Sequence, residues 1–453
     1  MKSKIPLVLL MEFNFSLFSQ VMSYSDQAVL FSTEDHLGTA RFMGMSGAFG
    51  ALGNDLTAVE INPAGVAVYN RSEFSSSIAY RDSQINSTFY GPTISNQDDY
   101  FRFSQIGGVA SWETFGNPDV YRFSMGFNYS VIKDYNNNYI VNGNSGVPEF
   151  VDDPFLNYDD DPNNDVFYTN VEDQYFVNYT SGINDRFTFS FGSLYKEKFY
   201  LGASMAFHHI NFYQNTVYEE YNTDGEGDSL DAYNNQSLST YGNGFNFGLG
   251  AILLPTDNFR IGLAYQSPIW YNLSERYNEY LDIILSNTND VYVESYDPNY
   301  FDYKLKTPSK FIGSLAYVFG SAGLISFDYT YQNFKNTTLQ PSSAFIDENQ
   351  DLSSGLRNTS TFKVGTEWRY NIFSFRGGYR YVQSPYREAG SDFDLSGYSF
   401  GLGIRFTPNF GLDFSYDRST NEEQYRFLDI AGVEPAQLDV TNSRFISSLV
   451  INF

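Results

Sequence analysis

The sequence predicts an all-β protein, a transmembrane antiparallel β-barrel of about 14 strands with an N-terminal hatch or plug inside its lumen. Apolar and polar residues alternate in segments from about Phe74 to Phe453, with connections that are short and long in turn. The last segment places Phe445 and Ile451 on one face and Ser448 on the other, and the chain stops on an aromatic residue. An outward apolar face and an inward polar face are typical of such barrels.

Composition narrows the class of protein. The chain carries 38 Tyr and 43 Phe among 453 residues, yet its mean hydropathy is −0.35. Beyond its N-terminus it has no long apolar run, which excludes a helical membrane protein. A barrel strand needs an apolar residue only at every second position. A soluble aromatic-rich β-sandwich or propeller is the alternative, but neither explains an outward aromatic face combined with a terminal Phe.

The formal net charge is −26, and cysteine is absent. A nucleic acid would be repelled by this charge, so nucleic-acid binding is excluded as a function. Divalent cations could bridge acidic loops to the phosphates of outer-membrane lipid or lipopolysaccharide. Solubility and surface repulsion are the simpler explanation of the charge.

Three regions are expected along the chain. Lys2 and Lys4 precede an apolar stretch from Ile5 to about Phe18, which predicts a signal peptide over residues 1–20. Residues 21–71 lack a strand period and are expected to form the hatch or plug. Residues 72–453 are expected to form the barrel.

The expected plug contains a short helix. Asn54 or Asp55 is a suitable cap for a helical turn over residues 56–61, which Pro63 ends. A barrel of about 14 strands has a lumen too wide for its wall side chains to fill, which favours a compact plug there. A periplasmic tail is the alternative for this region.

The alternating segments give the expected strand starts and connections. Long connections are predicted at residues 134–182, 219–236, 281–300, 336–356 and 419–440, outside the cell, with short turns on the periplasmic side. An even number of strands then returns the C-terminus to the periplasm. The strands are expected to start near Ser72, Asp99, Asp119, Ile183, Lys198, Ser237, Phe259, Phe301, Gly323, Asn358, Ile372, Phe393, Asn409 and Thr441.

Two N-terminal motifs resemble a known family. Residues 39–49 are rich in glycine, and an Asn-Pro-Ala-Gly-Val sequence follows at residues 62–66. Together they resemble the hatch of the FadL/TodX-type outer-membrane transport family, a barrel of about 14 strands. The resemblance implies diffusion of hydrophobic, fatty-acid-like ligands into the lumen and out sideways beside a kinked strand, with no enzyme activity and no cofactor. The hatch residues it implies are Gly44, Gly47, Asn62, Pro63, Ala64 and Gly65.

A break in the second strand is a candidate for the sideways opening. The alternation of Phe101 and Phe103 is lost at Gly107 and Gly108, and paired glycines permit a bulge or kink. The alternative is that the glycines form a corner of the barrel or leave room for the plug to pack against the wall. In the family the kink lies on the third strand, so the predicted placement departs from the family pattern.

The inward faces of the last strands carry charges of both signs. Such a mixture favours a salt-bridged wall that braces the plug, and a polar conduit or an anionic headgroup site is the functional alternative. The predicted lumen charges are Asp328, Lys363, Glu367, Arg369, Arg376, Arg380, Arg405, Asp413 and Asp417.

Metal and enzyme chemistry have weak support. Acidic clusters occur at residues 152–165, 224–228 and 347–351, where hard oxygen ligands could bind Ca²⁺, but none has EF-hand spacing and solvated loop charge is favoured. The three histidines are His36, His208 and His209, and no Gly-x-Ser-x-Gly motif occurs. The sequence therefore predicts no enzyme.

The expected function is passive outer-membrane transport of hydrophobic or amphiphilic small molecules. The alternative is a non-transporting accessory barrel, a subunit or substrate shuttle of an outer-membrane secretion or barrel-assembly machine. Long aromatic and acidic loops, such as residues 150–176, support this alternative because they are plausible binding surfaces for other outer-membrane proteins.

Overall fold

The computed structural model describes residues 20–114, 119–151, 167–286 and 291–453. The predicted signal peptide lies almost wholly outside them. No helix in the described residues is long and apolar enough to span a membrane. The helices are α1 (Tyr24–Ser32), α2 (Ala40–Met43), α3 (Leu56–Ile61) and α4 (Ile346–Gly355), with 3₁₀ turns at Pro63–Val68, Phe334–Asn336 and Ser391–Phe393.

The remaining elements are strands of a single sheet. In order they are β1 (Glu73–Thr88), β2 (Ile94–Glu113), β3 (Val120–Asp134), β4 (Asn137–Gly143), β5 (Asn170–Tyr195), β6 (Phe199–Thr223), β7 (Ser229–Leu253), β8 (Phe259–Gln266), β9 (Trp270–Leu285), β10 (Val291–Ser295), β11 (Asn299–Lys306), β12 (Lys310–Val318), β13 (Gly323–Asn333), β14 (Thr338–Gln340), β15 (Asn358–Tyr370), β16 (Phe373–Val382), β17 (Leu395–Thr407), β18 (Phe410–Tyr425) and β19 (Ala436–Asn452).

The sheet closes on itself. β1 pairs with β2 on one side and with β19 on the other, from Glu73 opposite Asn452 to Thr88 opposite Gln437. Four of the wall strands are interrupted and consist of two or three of these elements. They are β3 with β4, β8 with β9, β10 with β11 and β12, and β13 with β14. The described residues thus form a closed antiparallel barrel of fourteen wall strands, as the sequence predicts.

The wall alternates as the sequence predicts. In β17, Tyr398 and Phe400 are exposed on the outer surface while Ser399 between them is buried. In β19, Phe445 is exposed and Ser448 is buried. Because side chains of a strand point alternately to its two faces, this register turns the aromatic residues to lipid and the polar ones to the lumen.

Several wall strands are longer than the sequence indicates. β5, β6 and β7 have 26, 25 and 25 residues, whereas about 9–11 suffice to cross a bilayer. β5 therefore starts at Asn170 rather than near Ile183, and β7 at Ser229 rather than near Ser237. The predicted long connection 219–236 is wrong, because the ladder of β6 and β7 continues to Thr223 opposite Ser229. The sequence predicts strands from the alternation of apolar, lipid-facing residues with polar ones, and this alternation ends where the strands leave the membrane.

The N-terminal segment, residues 20–69, contacts inward-facing residues on all sides of the wall. The backbone N–H of Ala40 donates to the Ser448 hydroxyl at 2.7 Å, and the amide of Asn62 donates to the carbonyl oxygen of Ala251. Asp55 caps α3 by accepting from Thr57 N–H, as predicted. The sequence does not predict the helix α1, since its apolar residues pack on all sides in the barrel interior and give no clear amphipathic pattern.

Candidate functional site

One half of β2 has a ladder partner on one side only. β2 pairs with β1 from Ile94 to Val109, but it pairs with β3 only from Gln105 onward. In the described part of the chain, β4 pairs with β5 alone. Across the resulting unpaired seam, Asn138 Nδ2 donates to Asp98 Oδ2 at 3.2 Å and Ile140 N–H donates to an Asn96 side chain. We call this seam, between residues 94–104 of β2 and residues 131–143 of β3 and β4, the β2 gap.

The irregularity of β2 lies at Ser104 and not at the predicted Gly107–Gly108. Ser77 of β1 faces Gln105 and the next residue faces Phe103, so Ser104 is the extra residue of a bulge. Gly107 and Gly108 lie within the continuous ladder to β3. A side chain at Gly107 would overlap the backbone of the neighbouring β3, which explains the glycine by close approach rather than by a kink.

The third wall strand is also interrupted at this point. β3 ends at Asp134, β4 starts at Asn137, and the register against β5 shifts between Val131 and Lys133. The extra residue is Ile132, two residues after Ser130, the last β3 residue paired with β2. Both edges of the β2 gap therefore carry a bulge.

A cluster of ion pairs around Asp134, here called the staple, links the two sides of the β2 gap at the end near Gln105. Asp134 forms ion pairs with Arg102 of β2, at 3.1 Å, and with Arg81 of β1, at 3.7 Å. It also accepts a hydrogen bond from the Tyr100 hydroxyl. The Asp134 side chain is 4% exposed and that of Arg102 is 24% exposed. A buried carboxylate with two cationic partners stabilises the closed wall where ladder hydrogen bonds are missing.

The gap lies beside an apolar cluster inside the long-loop end of the barrel. This outer apolar cluster contains Ile85 of β1 and Tyr139 of β4, one from each side of the gap. The rings of Phe176 and Phe427 stack at its centre, with centroids 4.5 Å apart. Its buried members are Ile85, Phe89, Tyr139, Val141, Phe150, Tyr168, Phe176, Tyr218, Leu230, Ala232, Ile283, Leu285, Phe427, Leu428, Val433, Ala436, Leu438 and Val440.

A second apolar cluster surrounds α1. Phe31 packs edge-on against Phe212 of the wall, with centroids 5.6 Å apart. At the other end of α1, Tyr24, Phe301, Tyr303 and Phe345 form mutual ring contacts at centroid distances of 5.1–6.2 Å. Since Phe345 immediately precedes α4, α1 and α4 share this inner apolar cluster.

The Asn-Pro-Ala-Gly motif connects the N-terminal segment to the wall. Asn62 Nδ2 donates to Gly50 O at 2.7 Å, and its Oδ1 accepts from Ala64 N–H. Pro63 lies so close to Gly202 that a Cβ there would overlap the proline carbonyl group. Gly65 packs in the same way on Gly53. The motif thus fits a glycine-lined part of β6 and β7.

The Gly-rich motif approaches the opposite wall. A Cβ on Gly44 would lie 3.0 Å from the Cα of Gly401 in β17, so both backbones need glycine there. Gly47 has a φ of +73°, which favours glycine. Between them the Ser46 N–H donates to the Ser399 hydroxyl at 2.9 Å. The six predicted motif residues therefore lie on two sides of the lumen.

The predicted lumen charges form a network that includes the N-terminal segment. Glu367 binds Arg376 at 2.7 Å and Arg369 at 2.6 Å, and also Arg41 of α2 at 2.8 Å. Asp413 binds Arg376 and Arg405, and Arg380 binds Asp417. Asp328 accepts the N–H groups of Phe49 and Gly50. Lys363 lies over the ring of Phe42 at 5.9 Å.

Sequence reasoning does not identify a second group of lumen charges. These charges point into the lumen from five other wall strands: Arg81, Lys133, Arg186, Lys310 and Arg444. The signal was available for Arg444, which alternates with the outward Phe445. Lys133 follows a bulge, which reverses the inward and outward positions and hides it from a period-2 pattern.

The acidic loops and histidines show no metal centre in the described residues. The Asp224 carboxylate accepts three backbone N–H groups of its own turn, which uses its lone pairs and lowers its pKa. Asp347 and Glu348 lie in the first turn of α4. The acidic cluster at 152–165 lies outside the described residues. His208 is buried against Asn246, and His209 points outward near Asp185.

Comparisons with known proteins agree with this architecture. The family model for outer membrane protein transport proteins (OMPP1/FadL/TodX) matches residues 183–452. No curated protein matches the chain. A FadL homologue of Pseudomonas aeruginosa has a similar structure, with a TM-score of 0.59 and 16% identity, covering 93% of this chain and 100% of that one.

Two solved toluene transporters are also similar. For TodX of P. putida the TM-score is 0.58 at 15% identity, covering 92% of this chain and 99% of that one. For TbuX of Ralstonia pickettii the TM-score is 0.51 at 18% identity, with the same coverage. At these identities the likeness shows a shared fold.

The family match covers more than half of the chain and runs from β5 into the last wall strand. The family and its structural neighbours are transport channels and not enzymes. This chain belongs to the OMPP1/FadL/TodX family of outer-membrane transport proteins and is a bacterial outer-membrane barrel.

Proposed function

We propose that this barrel is a passive channel that takes hydrophobic or amphiphilic molecules, such as fatty acids, from outside and releases them sideways through the β2 gap. The observation that carries the proposal is the one-sided pairing of residues 94–103 of β2 beside the outer apolar cluster. A wall that lacks backbone hydrogen bonds along one seam is the part that can separate at least cost. An apolar interior next to that seam favours a hydrocarbon ligand.

The outer surface supports an exit into the membrane. The outward residues of β2 change from polar, at Gln97 and Asp99, to apolar, at Phe101 and Phe103. The part of the gap near Phe101 and Phe103 therefore adjoins the apolar outer surface of the barrel. Phe101 is 77% exposed. It also lines an outward groove of about 460 Å³ together with Ile78, Tyr80, Phe400, Tyr416 and Phe445. A hydrocarbon that leaves at Phe101 would enter an apolar groove rather than water.

The N-terminal segment has the role of the hatch in this proposal. It contacts walls on opposite sides through Ala40 to β19, Gly50 to β13 and Asn62 to β7. Residues 40–62 of this segment contact the wall close to its short turns, so a solute that has entered the outer apolar cluster has its shortest way out through the gap. The boundaries of this hatch at residues 21–71 and its motif residues remain predictions.

Uptake in cells tests the proposal. A strain without this protein, complemented with the wild-type chain, should take up a labelled long-chain fatty acid faster than cells with an empty vector. Purified barrel should release a bound amphiphile on lipid extraction and mass spectrometry. Unaltered uptake with an empty barrel would overturn transport. A stoichiometric protein partner retained in mild detergent, without any uptake, would favour the accessory role instead.

A further inference from the structure

Four wall cations in the lumen are neutralised by the N-terminal segment and not by the wall. Asp35 pairs with Lys133 at 3.1 Å and with Arg444 at 3.0 Å. Glu34 pairs with Lys310 at 2.6 Å and with Arg186 at 3.7 Å. The four cations belong to four different wall strands, β3, β5, β12 and β19, so the two adjacent carboxylates lie within a ring of positive charge.

The pairing of these cations differs from that of the other lumen arginines. Arg376, Arg380 and Arg405 bind carboxylates of their own wall. Among the described residues, every ion pair of the four ring cations within 4 Å is with Glu34, Asp35 or Glu60, all of the N-terminal segment. Withdrawal of this segment would leave four facing cations without carboxylate partners, at a high electrostatic cost unless an anion replaced it.

The ring is not fully sealed from water. Glu34 is 25% exposed, Lys133 18% and Lys310 17%, while the two arginines are nearly buried at 9% and 6%. An arginine fork on one side and flexible lysines on the other suit a carboxylate, which accepts hydrogen bonds from both. Water therefore reaches Glu34 and the two lysines.

We propose that Lys133, Arg186, Lys310 and Arg444 form an anion-binding ring, which Glu34 and Asp35 occupy as a tethered anion in the closed protein. The carboxylate head of an amphiphile exchanges with Glu34, the more exposed of the two, and so loosens the N-terminal segment. The inference deepens the proposed function by assigning a head-group site to the lumen. Exchange of one carboxylate for another leaves the charge of the ring unchanged, so the swap needs no desolvated, unpaired charge.

Ion selectivity tests the ring without any transported ligand. The double variant Glu34→Gln/Asp35→Asn keeps both side-chain shapes and removes both charges. In planar bilayers in KCl, it should show higher conductance than the wild type and should prefer chloride, although the net charge of −26 alone would favour potassium. Unchanged conductance, or an open channel that prefers potassium, would overturn the proposal.

Control variants separate the ring from a general loss of charge. Asp26→Asn removes a carboxylate of the same segment that bonds the Ser23 hydroxyl and has no ion pair in the described residues, so it should leave conductance at the wild-type level. Addition of Lys133→Gln and Lys310→Gln to the double variant should abolish the chloride preference while the pore stays open. Heat-modifiable gel mobility checks that each barrel is folded, and Glu34→Gln alone serves if the double variant does not fold.

Binding measurements test the head-group assignment. The double variant should bind dodecanoate more tightly than the wild type, by about tenfold, because the tethered competitor is gone. Methyl dodecanoate, which has no charge, should bind both proteins equally. Equal affinities for dodecanoate would overturn the ring even if cellular uptake were normal. If the wild-type chain supports no uptake while the double variant still prefers chloride, the proposed transport function is overturned and the ring stands as an anion-binding site.

Discussion

The backbone N–H of Asp35 donates to the carbonyl oxygen of Ile132 at 2.7 Å. Ile132 is the bulged residue of β3, just beyond the point where the ladder to β2 ends. The N-terminal segment thus supplies, from inside, a hydrogen bond that the wall no longer provides. This hydrogen bond therefore links the β3 edge of the β2 gap to the N-terminal segment.

The staple at Asp134 should limit the opening of the gap. Asp134→Asn leaves Arg81 and Arg102 without their shared carboxylate, and the two cations then repel each other. We expect faster cellular uptake of a labelled fatty acid than in the wild type. Asp119→Asn is the control, since Asp119 lies in a short turn with a half-exposed partner, Lys196. Uptake that stays equal in both variants would show that the staple does not restrain the gap.

Glu367 should be the most costly lumen charge to remove. Its side chain is 1% exposed and binds three arginines, so Glu367→Gln leaves buried cations unpaired and should lower the free energy of unfolding by about 3–5 kcal/mol. Arg369→Gln removes a partner that is 44% exposed and should cost less than about 1 kcal/mol. Urea unfolding of the barrel in bilayers measures both. A loss of similar size in the two variants would contradict the buried network.

The contact between Pro63 and β6 should be sensitive to one methyl group. Gly202→Ala places a Cβ onto the Pro63 carbonyl group and should cost about 1–3 kcal/mol by displacing the Asn-Pro-Ala-Gly motif. Gly313→Ala is the matched control, because a Cβ there meets nothing within 4 Å. Faster hydrogen exchange at residues 62–66 in the first variant alone is the expected result. Equal exchange in both variants would place the motif away from this wall.

The loop that follows β4 should respond to pH. Burial and then the nearby Glu220 carboxylate raise the pKa of Glu149 from 4.5 to about 7, and the Phe150 N–H donates to Glu220. Because the docked loop retains a proton that the released loop loses, docking is strengthened as pH falls from about 8 towards 4.5 and weakened as pH rises through 7. Hydrogen exchange at Phe150, corrected for its intrinsic rate, should show more protection at pH 5.5 than at pH 8.

Glu149→Gln supplies the control for that pH effect. The amide keeps the shape of the protonated carboxyl and cannot ionise, so the protection of Phe150 should no longer change between pH 5.5 and pH 8. The Asp224 turn at the tip of β6 and β7 lies elsewhere on the same end and should behave alike in both proteins. Persistence of the pH dependence in the Glu149→Gln variant would assign it to another group.

Period-2 patterning was sufficient for the closed wall, because lipid on one side and a polar lumen on the other impose opposite chemistry on alternate residues. It was insufficient wherever the period is broken. The bulges at Ser104 and Ile132 shift the register by one residue, and the paired glycines at 107–108 drew the prediction three residues away from the actual bulge. Strand ends beyond the membrane, such as Asn170, carry no lipid-facing signal.

The site was predictable only in part for a similar reason. The Asn-Pro-Ala-Gly motif and the charges of the last strands are visible locally. The partners of Glu34 and Asp35 are not, since Lys133 and Arg444 lie about 100 and 410 residues away along the chain. Contacts between a short segment and many wall strands form only in the closed barrel. They therefore produce no characteristic residue spacing that a single sequence could reveal.

A cross-link across the β2 gap tests the sideways exit most directly. Asp98→Cys and Asn138→Cys place two thiols, in a chain without cysteines, on side chains that bond across the gap. A short bifunctional thiol reagent should then stop fatty-acid uptake in cells. The same reagent on Ser111→Cys with Ser124→Cys, a pair in the intact ladder of β2 and β3, should leave uptake unchanged. Full uptake with the gap cross-linked would contradict the account.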